Sequence, residues 1–233
     1  ALQDYGRGLI VGSQTFGKGS VQNFIDLDRA IRGNSDVKPL GEVKLTIQKY
    51  YRVNGASTQL RGVMPDIVLP DTYDQIATGE RENERALAWS RIDDVEYGQE
   101  VLSYGGGVDV LKKNSAARVD LNEAFTLIED YALWLKENKN NTTTPLSLDK
   151  YKEHLAELDE RNEKFESVLG KPVEGLGVAP IALDFASEIS EEEKKARAEA
   201  WQKGVTEDFY IEEAMAITKD ILQSKWYVSA HKE

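Results

Sequence analysis

The chain has 233 residues, of which 40% are hydrophobic and 30% charged, with 18 Gly, 6 Pro and a net charge of −12. These values describe a globular protein of one large or two modest domains and exclude collagen-like and wholly disordered chains. Cysteine is absent and His154 and His231 are the only histidines, so disulfides, thiolate nucleophiles and Cys-built zinc sites are excluded, while a multi-histidine metal site or a Ser-His-Asp triad is disfavoured. Acid-base chemistry therefore falls to Lys, Asp, Glu or Tyr.

Residues 1–70 hold nine Lys and Arg against six Asp and Glu, a balance of +3, and the remainder holds 20 against 35, a balance of −15. The change of sign marks a domain boundary near residue 70, giving domains 1–70 and 71–233. An acidic second half argues against nucleic acid as a partner, because phosphate binding depends on Lys and Arg. No apolar run approaches the roughly 18 residues of a membrane span. The first twelve residues lack the basic stretch and apolar core of a secretory signal, so the chain reads as soluble as given.

The first segment reads as strands. Gly8-Leu9-Ile10-Val11 is a short apolar run closed by Gly12, residues 21–27 alternate loosely, and residues 42–53 are rich in Val, Thr, Ile and Tyr. In the last of these Val43, Leu45 and Ile47 share one parity, with Glu42, Lys44, Thr46 and Gln48 on the other, which predicts one buried and one wet face. Asn54-Gly55 is a strong turn signal, and residues 61–70 lead into another short apolar run.

The second segment reads as helices. Leu121, Ala124, Phe125, Ile128, Ala132 and Leu135 recur at helical spacing after Asp120, which predicts a helix over 121–137 with Asp120 as N-cap. Tyr151, Leu155, Leu158, Phe165 and Leu169 mark another, ended by Gly170 and Pro172. Ser190 and three glutamates open a charged helix to about residue 203, and Phe209, Glu213, Ala216, Ile217, Ile221 and Leu222 mark a last one. Residues 105–107, 138–145 and 171–180 read as linkers. The aromatics Trp134, Trp201, Phe209, Tyr210, Trp226 and Tyr227 read as core or interface residues. The fold class is α+β: a partial sheet followed by a mainly α-helical domain.

The most informative run is Gly12-Ser13-Gln14-Thr15-Phe16-Gly17-Lys18-Gly19-Ser20. It nearly spells a phosphate-binding loop, but Gly19 stands where Ser or Thr should ligate magnesium, and a strand-like stretch follows where a helix should open. A lysine between two glycines has backbone room to aim inward, and burial of an ammonium without a carboxylate partner frees an amine to take a proton from a serine. Gln22 could then orient that amine. By residue type alone, Lys18 reads more readily as an exposed turn lysine. Ser13 and Ser20 lie near it without a nameable oxyanion hole, and Thr15-x-x-Lys18 mimics S-x-x-K on a stretch that Gly17 keeps from being helical.

The blocks Asp4-Tyr5-Gly6-Arg7, Val11-Gly12, Thr15 to Gln22 (TFGKGSVQ), residues 46–55 (TIQKYYRVNG), Ser57-Thr58-Gln59 and Gly62-Val63-Met64-Pro65-Asp66-Ile67 together resemble the tail-specific, or C-terminal processing, serine proteases, in that family's order. The resemblance covers about residues 1–70, and several separated blocks are far more specific than one glycine-rich loop. It implies a Ser-Lys dyad whose lysine is Lys18 and whose positioning glutamine is Gln22, with no cofactor. It also implies that the serine, the oxyanion-hole donors and a PDZ domain lie upstream of Ala1, so that this chain by itself lacks a nucleophile. Protein substrates with apolar C-terminal tails and a periplasmic location follow from the same resemblance. The helical region matches the family only by its position after the protease core.

The rival reading is a non-catalytic helical module that binds an adaptor protein or a second subunit. A further expectation is that strands lacking upstream neighbours pair with each other or with a second copy of the chain, making a homodimer through exposed edges.

Overall fold

Val11–Gly12 forms a short strand, β1. Residues 13–19 then turn the chain into β2 (Ser20–Asp26), one helical turn α1 (Leu27–Ala30), and β3 (Glu42–Lys49). The computed structural model describes residues 1–30, 38–98, 103–104, 107–179, 191–223 and 227–228. It divides into two units, Ala1–Pro65 with Ala77–Leu102, and Asp66–Ile76 with Ser103–Glu233.

In the first unit β2 and β3 pair antiparallel, Ile25 opposite Val43 and Phe24 opposite Lys44. The register shifts between Val21 and Gln22: Val21 faces Gln48 but Gln22 faces Thr46, so Ile47 is the extra residue of a bulge. The turn predicted at Asn54-Gly55 forms, with Gly55 at a φ of 76° and its N–H donated to Arg52 O at 2.9 Å. The buried face predicted for β3 does not form: Leu45 is 45% and Ile47 50% exposed, and Phe24 on the opposite side is exposed as well. The two-stranded ribbon has no third strand among the described residues, and alternation can bury a face only where another layer covers it. Apart from Pro65, the buried side chains among the described residues of this unit are polar, namely Asp4, Ser20, Ser57 and Gln59.

The second unit holds the buried aliphatic and aromatic side chains. It contains β4 (Ile67–Val68), β5 (Ser103–Tyr104), α2 (Val108–Val119), α3 (Glu123–Asn138), α4 (Leu148–Leu169), α5 (Glu191–Thr206), α6 (Phe209–Gln223) and β6 (Tyr227–Val228), with β5 and β6 antiparallel. Ile67 and Leu69 on and just beyond β4, Leu111 of α2, Phe125 and Ile128 of α3 and Ile217 of α6 form the core. Arg118 of α2 reaches α6, donating to the Glu213 carboxylate at 2.7 Å and to Asp220 Oδ2 at 2.8 Å. The architecture is α+β with a helical C-terminal part. Among the described residues no helix is long and apolar enough to cross a membrane.

Two features of the helical part differ from the sequence reading. Helix α2 carries only two buried residues, Leu111 and Ser115, too few to print a periodic stripe, and it went unpredicted. Asp120 ends α2 rather than capping α3, whose cap is Asn122, accepting from the N–H groups of Ala124 at 2.9 Å and Phe125 at 3.4 Å. Leu121 consequently sits in the connecting turn, 89% exposed. Asp208 caps α6 through Oδ1, which accepts from Tyr210 N at 2.9 Å and Ile211 N at 3.1 Å. Ser190, Gly105, Gly106, Pro180 and Trp226 lie outside the described residues, while Trp201 is half exposed.

Tyr210 supplies a pH signature for this unit. Its phenol donates to Pro70 O at 2.7 Å, and burial, reinforced by the negative charges of Asp71, Asp74 and Asp208, pushes its pKa up to about 12. Because the folded value exceeds that of an ordinary phenol, 10.0, Tyr210 contributes stability that is present below pH 10 and lost as pH rises toward 12. Urea unfolding across that range is expected to show a falling midpoint whose slope is reduced in Tyr210→Phe. An unchanged slope would remove Tyr210 as the titrating group.

Candidate functional site

The separated blocks singled out in the sequence meet around the turn that carries Lys18. Asp4, nearly buried, accepts from Arg52 Nε at 2.8 Å and from Asn54 Nδ2 at 3.2 Å, so Asp4-Tyr5-Gly6-Arg7 is tied to the turn after β3. Gln3 Nε2 donates to Met64 O at 2.8 Å, and Thr15 and Val63 exchange two bonds, Thr15 N to Val63 O at 3.2 Å and Val63 N to Thr15 Oγ1 at 2.8 Å.

The turn itself is held at Gly17 O, Lys18 O and both backbone groups of Gly19. Leu60 N donates to Gly17 O at 2.7 Å, and Tyr50 N to Gly19 O at 3.0 Å. Thr58 Oγ1 donates to Lys18 O at 3.2 Å, and the Tyr50 hydroxyl donates to the same oxygen. The fully buried Gln59 accepts from Gly19 N at 2.8 Å through Oε1 and donates to Glu80 Oε1 at 2.8 Å, so its amide is fixed at both ends. Leu60, against which Gly17 packs, adopts a φ of 64°, an uncommon conformation for a branched side chain that the surrounding bonds hold in place. Such overdetermination is what fixes the direction of a functional side chain.

Lys18 itself is exposed, so the burial that would free its amine is not supplied by the described residues. Its Nζ donates to Gln22 Oε1 at 3.3 Å and to Ser20 Oγ at 3.2 Å, both neutral oxygens. The structure therefore brings Lys18 and Gln22 together. Gln22 Nε2 donates in turn to Thr46 Oγ1 at 3.3 Å, across the β2–β3 ladder, which points Oε1 at the lysine. Side chains two apart on a strand share a face, which is why residues 20 and 22 both reach Lys18. Ser20 was weighed in the sequence only as a nucleophile; Thr46, Tyr50, Thr58 and Gln59 stood in the family blocks without an assigned role, because their partnership with the turn depends on how the chain folds back on it. The loop delivers the chain into β2, so it lacks the helix N-terminus of a phosphate-binding loop.

Gly19 leaves no room for a side chain. A Cβ there would lie 2.4 Å from Gln59 N and 2.7 Å from Ser57 Oγ, so backbone must move. Gly19→Ala is expected to cost about 1–3 kcal/mol, read as a lowered thermal midpoint. Gly8→Ala, whose added carbon meets nothing closer than 3.8 Å, is expected to leave the midpoint in place. Equal midpoints for the two variants would show that the turn is looser than drawn.

Two family descriptions match separate parts of the chain. Residues 1–69 match peptidase family S41, and residues 73–223 match the family described as the C-terminal domain of tail specific protease. The chain is similar to a tail-specific protease of Haemophilus influenzae, 34% identical over 216 residues, covering 85% of this chain and 29% of that protein. It is also similar to a carboxy-terminal-processing protease of Bartonella bacilliformis, 34% identical over 137 residues, covering 55% of this chain and 27% of that protein. The chain thus spans less than a third of the length of the curated relatives it matches.

Proposed function

The chain belongs to the tail-specific protease family, and from that premise we propose that it is the C-terminal portion of a serine endopeptidase in which Lys18 is the general base. The nucleophilic serine and the oxyanion-hole donors come from the portion of the protein outside these residues. The serine hydroxyl attacks the substrate carbonyl as Lys18 Nζ takes its proton; Lys18 then returns that proton to the leaving amine, and a water activated by the same nitrogen releases the acyl group. Gln22 positions Lys18. Substrates are proteins with apolar, poorly folded C-terminal tails, met in the periplasm.

The observation that carries this reading is the bond from Lys18 Nζ to Gln22 Oε1 on a turn whose backbone is fixed on every side. An exposed surface lysine with no task needs no such support. The serine-bearing portion is expected to lie over Lys18 and supply the desolvation that a lysine base requires. The test compares the full-length protein with this chain alone on an unfolded protein ending in an apolar tail, with and without a fluorophosphonate that acylates active serines. Turnover by the full-length protein, blocked by the reagent, and none by this chain is the expected result. Reagent-sensitive turnover by this chain would place the nucleophile within it, and full-length activity indifferent to the reagent would remove the serine.

A further inference from the structure

We infer that Ser20 is a positioning residue for Lys18, a second acceptor that stops the amine from rotating and so aims its lone pair. The inference rests on the reading of Lys18 as base. An ammonium at the end of a lysine is a three-fold rotor that one hydrogen bond can orient, but once it has lost a proton a single bond leaves the lone pair free to take either of the two remaining directions. Two bonds in different directions leave a single direction open. Lys18 Nζ has both, to Gln22 Oε1 at 3.3 Å and to Ser20 Oγ at 3.2 Å. Once the third proton is lost, the two remaining N–H groups stay on these oxygens, and the lone pair occupies the open direction, where the proton of the attacking hydroxyl must arrive.

Ser20 is placed to hold this geometry. It is 7% exposed although Lys18 is exposed, so the hydroxyl acts from inside the unit. It opens β2 opposite Lys49, whose Nζ is itself anchored on Ser90 Oγ at 2.8 Å, and the residue before it is pinned by Gln59. The two oxygens are held differently: Gln22 is steered by Thr46 on the partner strand, whereas Ser20 is fixed by its own backbone position. Removing one therefore leaves the other in place.

The experiment measures kcat and KM of the full-length protein, and of its Ser20→Ala, Ser20→Thr and Lys18→Ala variants, on the apolar-tailed substrate, with thermal midpoints alongside. Ser20→Ala is expected to lower kcat about 10- to 100-fold, the scale of a misaligned catalytic group, with KM and midpoint unchanged. Ser20→Thr, which keeps the hydroxyl and suits a strand, is expected to recover most of the loss. Three results would overturn the inference: Ser20→Ala at parental kcat while Lys18→Ala is dead, which leaves the base reading standing; Ser20→Thr as impaired as Ser20→Ala, or a loss accompanied by a lowered midpoint, which makes Ser20 merely structural; and fluorophosphonate labelling of Ser20 itself, which makes it the nucleophile. A Lys18→Ala variant of normal activity would instead sink the base reading on which the inference stands.

Discussion

Lys18→Ala in the full-length protein is expected to abolish hydrolysis of an apolar-tailed substrate, a loss of at least about 10³-fold in kcat. Serine is a weak nucleophile at its own pKa, and without the base its proton has nowhere to go as the carbonyl is attacked. Lys18→Arg should do nearly as badly, because a guanidinium keeps its proton throughout the accessible pH range and offers no lone pair. Gln22→Ala should hurt less, since Ser20 Oγ still accepts from Lys18 Nζ, and a loss of about tenfold is expected. Steady-state turnover checks all three. The Arg variant discriminates best: it keeps the charge, much of the length and the capacity to donate to Gln22 Oε1, so near-parental activity would mean that Lys18 serves as a fixed cation and not as a base.

The largest stability effect is expected at Phe125. It is 1% exposed on α3, and its ring meets Phe209 edge-on at 4.9 Å and Tyr210 at 5.3 Å, both on α6. Phe125→Ala removes the ring from between two helices that are themselves fixed elsewhere, α6 by the Asp208 cap and by Arg118 on Glu213. The cavity can therefore collapse only in part, and about 3–5 kcal/mol of stability should be lost. In a unit of this size that lowers the thermal midpoint by roughly 10 °C. Leu121→Ala is the internal control. Periodicity placed Leu121 on the same stripe as Phe125, yet it stands in the turn before α3, and its loss should move stability by less than about 0.5 kcal/mol. Similar losses for the two variants would mean that α3 begins earlier and that Leu121 is buried with the rest.

The family was legible in the sequence because its blocks are short, local and ordered: Thr15 to Gln22 and residues 46–55 are recognisable as text before they are folded. Helices α3 and α6 were legible for a related reason, since an amphipathic helix prints its buried face at fixed spacing, and Ala124, Phe125, Ile128 and Ala132 did so; α4 shows the same spacing of apolar residues although none of them is buried. Helix α2 did not, because its packing rests on Leu111 and on the Arg118 links to α6, which leave no stripe. The cap of α3 was misplaced by two residues because Asp120 and Asn122 are equally good caps by type, and only the path of the chain out of α2 chooses between them.

What the sequence determined by itself was the class of the fold and the change of charge and periodicity near residue 70, because these depend on residue type and on separations of a few positions, whereas the pairing of Lys18 with Gln22 was implied only by the family blocks. Tertiary structure alone decided that Leu45 and Ile47 remain uncovered, since alternation states which face could be buried but not whether a layer exists to bury it. It alone brought Gln59, Tyr50, Thr58 and Thr46 to the turn, over separations of 24 to 40 residues. And it alone turned Ser20 from a rejected nucleophile into a partner of Lys18, because the direction of a hydroxyl is fixed by the backbone beneath it and not by its neighbours in the chain.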